Sequence, residues 1–385
     1  MSPAVGGGAP ELVGEPEFRR LLLAGTPFID VRAEVEFARG SIPGAVNLPI
    51  LNTAEREQVG RCYKRRGQDE AVALGHRLVS GAVREARIDD WRAFADAHAR
   101  CHVFCWRGGM RSGLAARWMA EAGRPVPVIA GGYKALRRFL MQVTATAAAE
   151  RPLVLVAGRT GAGKTPLIAA LASGVDLEAH ARHRGSSFGR LTISPPGQIE
   201  FEHALALDLL RLDEARPLRP VFLEDESRRI GAVSIPLELF QAMARAPLVI
   251  LEAPFEQRVQ RILQEYVIEL RQQYLTMDPV DGARGYEQHL LDSLARIRSR
   301  LGGQRHAELR AMLESALEAQ RRGAVEQHAG WIAALLRDYY DPMYDYQLSR
   351  AQPRVIFRGD YPALLDYCRG YEAAPGGRSV GSAGR

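Results

Sequence analysis

Cysteine is scarce. Cys62, Cys101, Cys105 and Cys368 are the whole complement in 385 residues, with no C-x-x-C pair and no zinc spacing to histidine. A disulfide-stapled scaffold and a zinc ribbon are therefore excluded, and free thiols in a reducing cytoplasm are the expectation. No apolar run approaches the roughly 18 residues of a membrane span, so no membrane partner is expected. The N-terminal MSPAVGGGAPELV lacks the basic start and apolar core of a signal peptide. Lysine is nearly absent, only Lys64, Lys134 and Lys164, so the net charge of +6 and pI near 9.3 rest on arginine. That excess permits a nucleic-acid partner without demonstrating one, and GC-rich codon usage would produce it equally well. What is plentiful is ordinary globular material: 46% apolar residues over a length suited to two or three domains.

The chain is organised around Leu153–Leu171, LVLVAGRTGAGKTPLIAAL. An apolar strand runs into Gly158, Arg159, Thr160, Gly161, Ala162, Gly163, Lys164 and Thr165, and helix periodicity follows. This is G-x-x-x-x-G-K-S/T in the strand–loop–helix setting that a P-loop requires. Glycines let successive backbone N–H groups converge on one anion, and the helix N-terminus adds partial positive charge. Lys164 would reach the terminal phosphate and Thr165 would ligate Mg²⁺. A phosphate or diphosphate is expected here.

Before the P-loop, residues 1–10 read as disordered, 11–143 as an α/β domain and 144–151 as a linker. Its expected strands are Pro27–Val31, a short one after SIPGAVNLP, His102–Cys105 and Pro127–Ala130. After it, 152–372 reads as a P-loop domain with a parallel sheet, a helical insertion at about 256–334 and a loop at Asp341–Gln347. Residues 373–385 read as a tail. Expected strands here are Val175–Leu177, Pro220–Glu224, Pro247–Glu252 and Val355–Phe357. Strands alternating with helices indicate parallel sheets covered by helices.

A second chemical centre lies at Phe104–Ser112, FCWRGGMRS. A strand delivers Cys105 to a loop of Trp106, Arg107, Gly108, Gly109 and Met110 that ends in Arg111 at a helix start. Loop N–H groups and the helix N-terminus would surround the sulfur and lower its pKa from about 8.5. Arg107 and Arg111 would bind an oxyanion. The other three cysteines lack such surroundings and read as structural.

Phe28–Pro49, FIDVRAEVEFARGSIPGAVNLP, resembles the rhodanese signature, and FCWRGGMRSG resembles its active-site loop. The loop is one residue longer than in ordinary rhodaneses. A C-x5-R loop of this length is similar to those of rhodanese-fold phosphatases and arsenate reductases, which accept a tetrahedral, phosphate-sized ligand. Further motifs are EREQVG, AGGYKALRR, GRTGAGKT, HRGSSFG, EDESRRIG and YYDPMYDYQ. Together with the rhodanese-then-P-loop order, they resemble the bacterial tRNA 2-selenouridine synthase family from about residue 12 to 370.

That resemblance implies replacement of the sulfur of wobble 2-thiouridine in tRNA by selenium from selenophosphate. It also implies an S-geranyl-2-thiouridine intermediate made from geranyl diphosphate, and the selenophosphate-producing enzyme as a further partner. Cys105 and its loop would serve selenophosphate, and the P-loop with Lys164 would serve the diphosphate. Mg²⁺ would be held by Thr165 and Asp225, with Glu224 an alternative. His183, Arg184, Ser186, Ser187, Arg228 and Arg229 would face phosphate or RNA. Tyr339, Tyr340, Tyr344 and Tyr346 could stack on an anticodon base or fill a core. Arg258, Arg261, Arg271, Arg296, Arg298 and Arg300 suit RNA phosphates or, more commonly, a solvated helix face. A P-loop kinase or NTPase with an accessory sulfurtransferase domain is the competing reading.

Overall fold

The computed structural model describes residues 9–373, which form two compact units. The disorder expected at 1–10 and the tail at 373–385 lie, but for Ala9, Pro10 and Ala373, outside the described residues. The first unit holds β1 (Leu12–Val13), β2 (Phe28–Asp30), β3 (Ala45–Asn47), β4 (His102–Phe104) and β5 (Val128–Ile129). They form a wholly parallel sheet in the order β1-β5-β4-β2-β3. All three residues of β2 and of β4 are buried, as expected for strands covered on both faces. One face packs Phe18, Leu21, Phe28 and Leu136; the other packs Ile29, Val103, Trp91 and Met119.

Two features of this unit depart from the sequence reading. The segment 144–151 does hold the division between the units, which falls after Thr144, but it is helical and not a loose linker: the helix Gly132–Glu150 runs through all but its last residue. Its alanines and threonines offer no glycine or proline to stop a helix before Pro152. The unit also takes in Gly197–Arg211, from the half of the chain read as P-loop domain. There Ala206, Leu207 and Leu210 join the cluster around Phe18 and Leu136. His203 is bonded through Nδ1 to the Ser41 carbonyl at 2.9 Å, and Arg137 donates to Glu202 at 2.7 Å.

The second unit is built on β6 (Leu153–Ala157), β7 (Gly174–Val175), β8 (Val221–Glu224), β11 (Leu248–Leu251) and β12 (Val355–Gly359). These are parallel in the order β12-β11-β6-β8-β7, with a separate antiparallel hairpin of β9 (Arg229–Ile230) and β10 (Val233–Ser234). Leu177 begins the helix Leu177–Ala181, capped by Asp176, instead of ending β7. The helical region runs on past residue 334: Asp341–Gln347, read as a loop, lies in the helix Asp341–Ala351. It continues without a break from a π-helical turn, Leu336–Tyr340, so Pro342 lies inside one helical run just after the turn that is wider than an α-helix. The helices share their own core around Val267, Tyr286, Leu290, Leu313 and Trp331. Among the described residues no helix is long and apolar enough to cross a membrane.

Candidate functional site

In the first unit, β4 carries Cys105 into a loop that closes on the helix Met110–Glu121. The loop is sealed by backbone on backbone. Tyr133 N–H donates to the Cys105 carbonyl at 2.8 Å, and Lys134 N–H to the Trp106 carbonyl at 3.1 Å. A Cβ on Gly132 would sit 2.3 Å from the Cys105 oxygen, and one on Gly108 would sit 2.5 Å from the Ile129 oxygen. Both residues have positive φ, so this contact requires glycine twice over. That is the physical meaning of the AGGY motif.

Cys105 is buried, and the Ser112 hydroxyl donates to its sulfur at 3.2 Å. Burial opposes the thiolate. The Ser112 hydroxyl, the N–H groups of Ser112 and Arg107, and the Arg111 charge outweigh it and hold the thiol below its ordinary value. Burial pushes the thiols of Cys101 and Cys368 up instead, that of Cys368 to about 12. Arg111 does not hang free for an oxyanion: it donates to Glu36 at 2.7 Å, and Arg56 lies 3.2 Å from the same carboxylate. Arg107 is exposed at the loop tip.

Around the loop, Arg32 is fully buried and doubly bonded to Asp30, with its guanidinium 4.0 Å from the Tyr133 ring centre. Tyr133 stacks on the exposed Trp106 at 5.3 Å. The depression beside them has a volume of about 620 Å³ and is lined by Arg39, Lys134, Arg137 and Arg138 as well as Trp106 and Tyr133. An exposed ring on a cationic rim suits an unstacked base and its phosphates. Of this setting, the sequence motifs gave Arg32 and the AGGYKALRR run but not the Glu36–Arg111 pairing or the stacked rings.

In the second unit the P-loop joins β6 to the helix Lys164–Ala169, with Gly163 left-handed at the N-cap. The loop's own carbonyls hold two cations: Lys164 Nζ donates to Gly158 O at 3.1 Å, and Arg261 Nη1 to Gly161 O at 2.6 Å. Arg258 is nearly fully buried and bonded bidentately to Asp341 at 2.7 and 2.6 Å, with a third bond to Thr160 O. Arg258 is turned away from solvent, while Arg261 is half-buried at the edge of the loop. Both brace or complete the anion loop.

A cleft of about 580 Å³ brings Lys164 and Thr165 together with His183, Arg184, Ser186, Glu178, Glu226 and Arg261. Arg184 donates to the Glu265 carbonyl at 2.8 Å and lies over the Tyr266 ring, while Phe188 stacks on Trp331. The HRGSSFG loop is thus pinned to the helical core. His183 Nδ1 is buried without a partner, and burial lowers this imidazole's pKa. Ser187 points elsewhere, to the Tyr340 hydroxyl at 2.8 Å. Arg228, Arg229, Tyr344 and Asp225 do not line the cleft. Tyr344 lines a neighbouring depression with Arg159 and Asp345, and burial pushes its hydroxyl up to about 12. Tyr340 is core, whereas Tyr346 is exposed.

Whether these residues fit Mg²⁺ is answered by their oxygens. Thr165 Oγ1 lies 3.4 Å from Glu178 Oε2. A Cβ on Gly185 would lie 2.5 Å from Glu178 Oε1 and 2.6 Å from Glu226 Oε1, so the two carboxylates crowd one spot. Burial first, and then the Glu226 charge, raise Glu178 to about 8 against the pull of Lys164. A hydroxyl with one or two carboxylates, completed by substrate phosphate, is the usual Mg²⁺ setting. The fit is to Thr165 and Glu178, with Glu226 adjacent, in a position the sequence reading gave to Asp225. Asp176 and Glu178 follow a two-residue strand, too brief a pattern to flag them from sequence.

Comparison with known proteins bears on both units. Residues 151–374 match the family described as tRNA 2-selenouridine synthase AAA domain, and residues 16–138 match the rhodanese-like domain. The chain is 47% identical to a tRNA 2-selenouridine synthase of Cupriavidus necator, over 94% of this chain and 98% of that one. It is 48% identical to one of Pseudomonas putida, over 92% and 96%, and 47% identical to one of Hahella chejuensis, over 91% and 93%. On this similarity across both units, the chain belongs to the tRNA 2-selenouridine synthase family.

Proposed function

We propose that this chain is a tRNA-modifying transferase. It replaces the sulfur of a wobble 2-thiouridine with selenium from selenophosphate, through S-geranyl-2-thiouridine made from geranyl diphosphate. The observation that carries the reading is the presence in one polypeptide of two anion loops, one holding the depressed thiol of Cys105 and one holding Lys164 and Arg261.

In the first step the 2-thio sulfur attacks the first carbon of the geranyl chain, the carbon–oxygen bond breaks and diphosphate leaves. The backbone N–H groups of Gly158–Thr165, Lys164 and Arg261 take up the charge that the departing group gains. Mg²⁺ bound by Thr165 and Glu178 would add Lewis-acid stabilisation of that charge. In the second step the selenium of selenophosphate attacks C2 and geranylthiol departs, an alkylated sulfur being a better leaving group than the bare one; water then breaks the phosphorus–selenium bond, releasing phosphate and leaving selenium on C2. The Cys105 loop holds the tetrahedral phosphate of the donor. Its partners are tRNA, docked by its anticodon loop, and the selenophosphate-producing enzyme, in the cytoplasm.

The test is nucleoside analysis of tRNA incubated with purified protein, geranyl diphosphate and selenophosphate, each donor being omitted in turn. Cys105→Ala is expected to lose selenation and keep geranylation. Lys164→Ala is expected to lose geranylation yet still selenate RNA supplied already geranylated. Equal loss of both steps in both variants, or ATP turnover stimulated by tRNA and coupled to product, overturns the reading.

A further inference from the structure

The helices Thr53–Arg66 and Gln68–Leu78 pack on each other as a hairpin in the first unit that is mostly exposed or half-buried. The first of them buries no residue and the second buries only Ala71. Each nevertheless turns apolar residues at helical spacing towards the unit, Val59 and Tyr63 on one, Ala71, Val72 and Gly75 on the other, with charged side chains such as Arg61 and Lys64 beside them. Across from them stand Leu114 and Trp118, one turn apart on the helix that follows the Cys105 loop. Between lies a cavity of about 640 Å³ with mostly apolar walls. That volume falls within the roughly 300–1,000 Å³ of ordinary small-ligand sites.

The cavity's position is as informative as its lining. Glu36, Arg56 and Arg111 line both it and the basic depression beside Trp106. Arg111 is also among the groups that hold the Cys105 thiol down. A ligand with an apolar tail in the cavity would therefore present its polar end at the Cys105 loop, beside a cationic rim. A free fatty chain would not need that rim, and a bare nucleotide would not need the cavity.

We propose that this cavity receives the prenyl chain carried on the modified base while selenium is exchanged at the Cys105 loop. The assignment rests on the geranyl route given above and adds its second binding site: the chain installed at the P-loop centre becomes the handle by which the rhodanese-like unit selects its substrate. Discrimination against unprenylated RNA follows, because filling an apolar cavity rewards only the RNA that carries the chain.

The test measures binding by fluorescence anisotropy with two synthetic anticodon stem-loops, one bearing S-geranyl-2-thiouridine and one bearing 2-thiouridine. The full-length protein is compared with Val72→Trp, which fills the cavity, and Val59→Glu, which makes its wall polar. Wild type is expected to prefer the geranylated RNA by about 100-fold, and both variants to lose at least about tenfold of that preference. They should still bind the 2-thiouridine RNA, which certifies their folding, and still geranylate it, so that geranylated RNA accumulates. An equal preference in all three proteins, or none in wild type, overturns the assignment. If wild type never makes geranylated RNA yet prefers the synthetic one in a cavity-dependent way, the route fails and the cavity assignment stands. If it makes that RNA but binds it with no cavity-dependent preference, the assignment alone fails.

Discussion

Ser112 is the residue on which the reactivity of Cys105 turns. It is fully buried, donates its hydroxyl to the sulfur at 3.2 Å and lies in the first turn of the helix that follows the loop. Because the thiol is held below its ordinary value, alkylation by iodoacetamide should already be fast below the pH at which a free cysteine reacts. Ser112→Ala removes a hydrogen bond to the charged form, so the alkylation profile should move to higher pH. The rate at pH 7 should fall about tenfold. An unchanged profile would leave Arg111 and the backbone N–H groups as the whole cause. At this scale the cysteine itself was readable in the sequence, since its loop spacing announces an anion site. Its partners were less so: Glu36 is 75 positions from Arg111, and no local pattern links them.

At the scale of elements, the helix Asp341–Ala351 shows how a polar, aromatic run becomes structural. Read alone, DPMYDYQ has the residues of a loop. In the fold, Asp341 takes both nitrogens of the buried Arg258, and Asp345 takes Arg159 of the P-loop at 2.6 Å. Asp341→Ala would leave a guanidinium buried without its carboxylate, at a cost of about 3–5 kcal/mol. A urea titration should show that loss, with restoration in Arg258→Met/Asp341→Leu, where both charges go. The strands and the P-loop were legible because apolar runs bounded by glycine state their own geometry. The helical region was legible in extent but not in role. Arg258 and Arg261 sit on a charged helix like any solvated pair, and only the packing of that helix onto the loop turns them inward. Glu178 was hidden for the converse reason, being a lone acid whose meaning depends on Thr165 and Glu226 arriving beside it.

For the whole molecule, two successive domains were expected from the order of motifs, and two units are found. The first, however, is completed by Gly197–Arg211. Leu207 and Leu210 of that segment are buried in the core with Phe18 and Leu136, and His203 is bonded to the Ser41 carbonyl. A fragment ending at Thr144 should therefore expose apolar surface, bind a hydrophobic dye and melt well below the full chain. Adding a peptide of residues 197–211 in excess should raise its melting temperature, as any ligand of the folded state does. If the fragment melts with the intact protein, the borrowed segment is dispensable. Such an arrangement escapes sequence reading because a helix of 18 residues carries no mark of which core it serves.

That borrowed segment also sets an order of events during synthesis. Domains ordinarily fold as they emerge, N-terminal first. Here the ribosome must pass Lys164 and reach Arg211 before the unit bearing Cys105 can close. A nascent chain that stalls between Lys164 and Arg211 therefore carries every residue of the Cys105 loop but an unfinished sulfur pocket, and the amine loop is later still, since it waits for β8, β11 and Arg261.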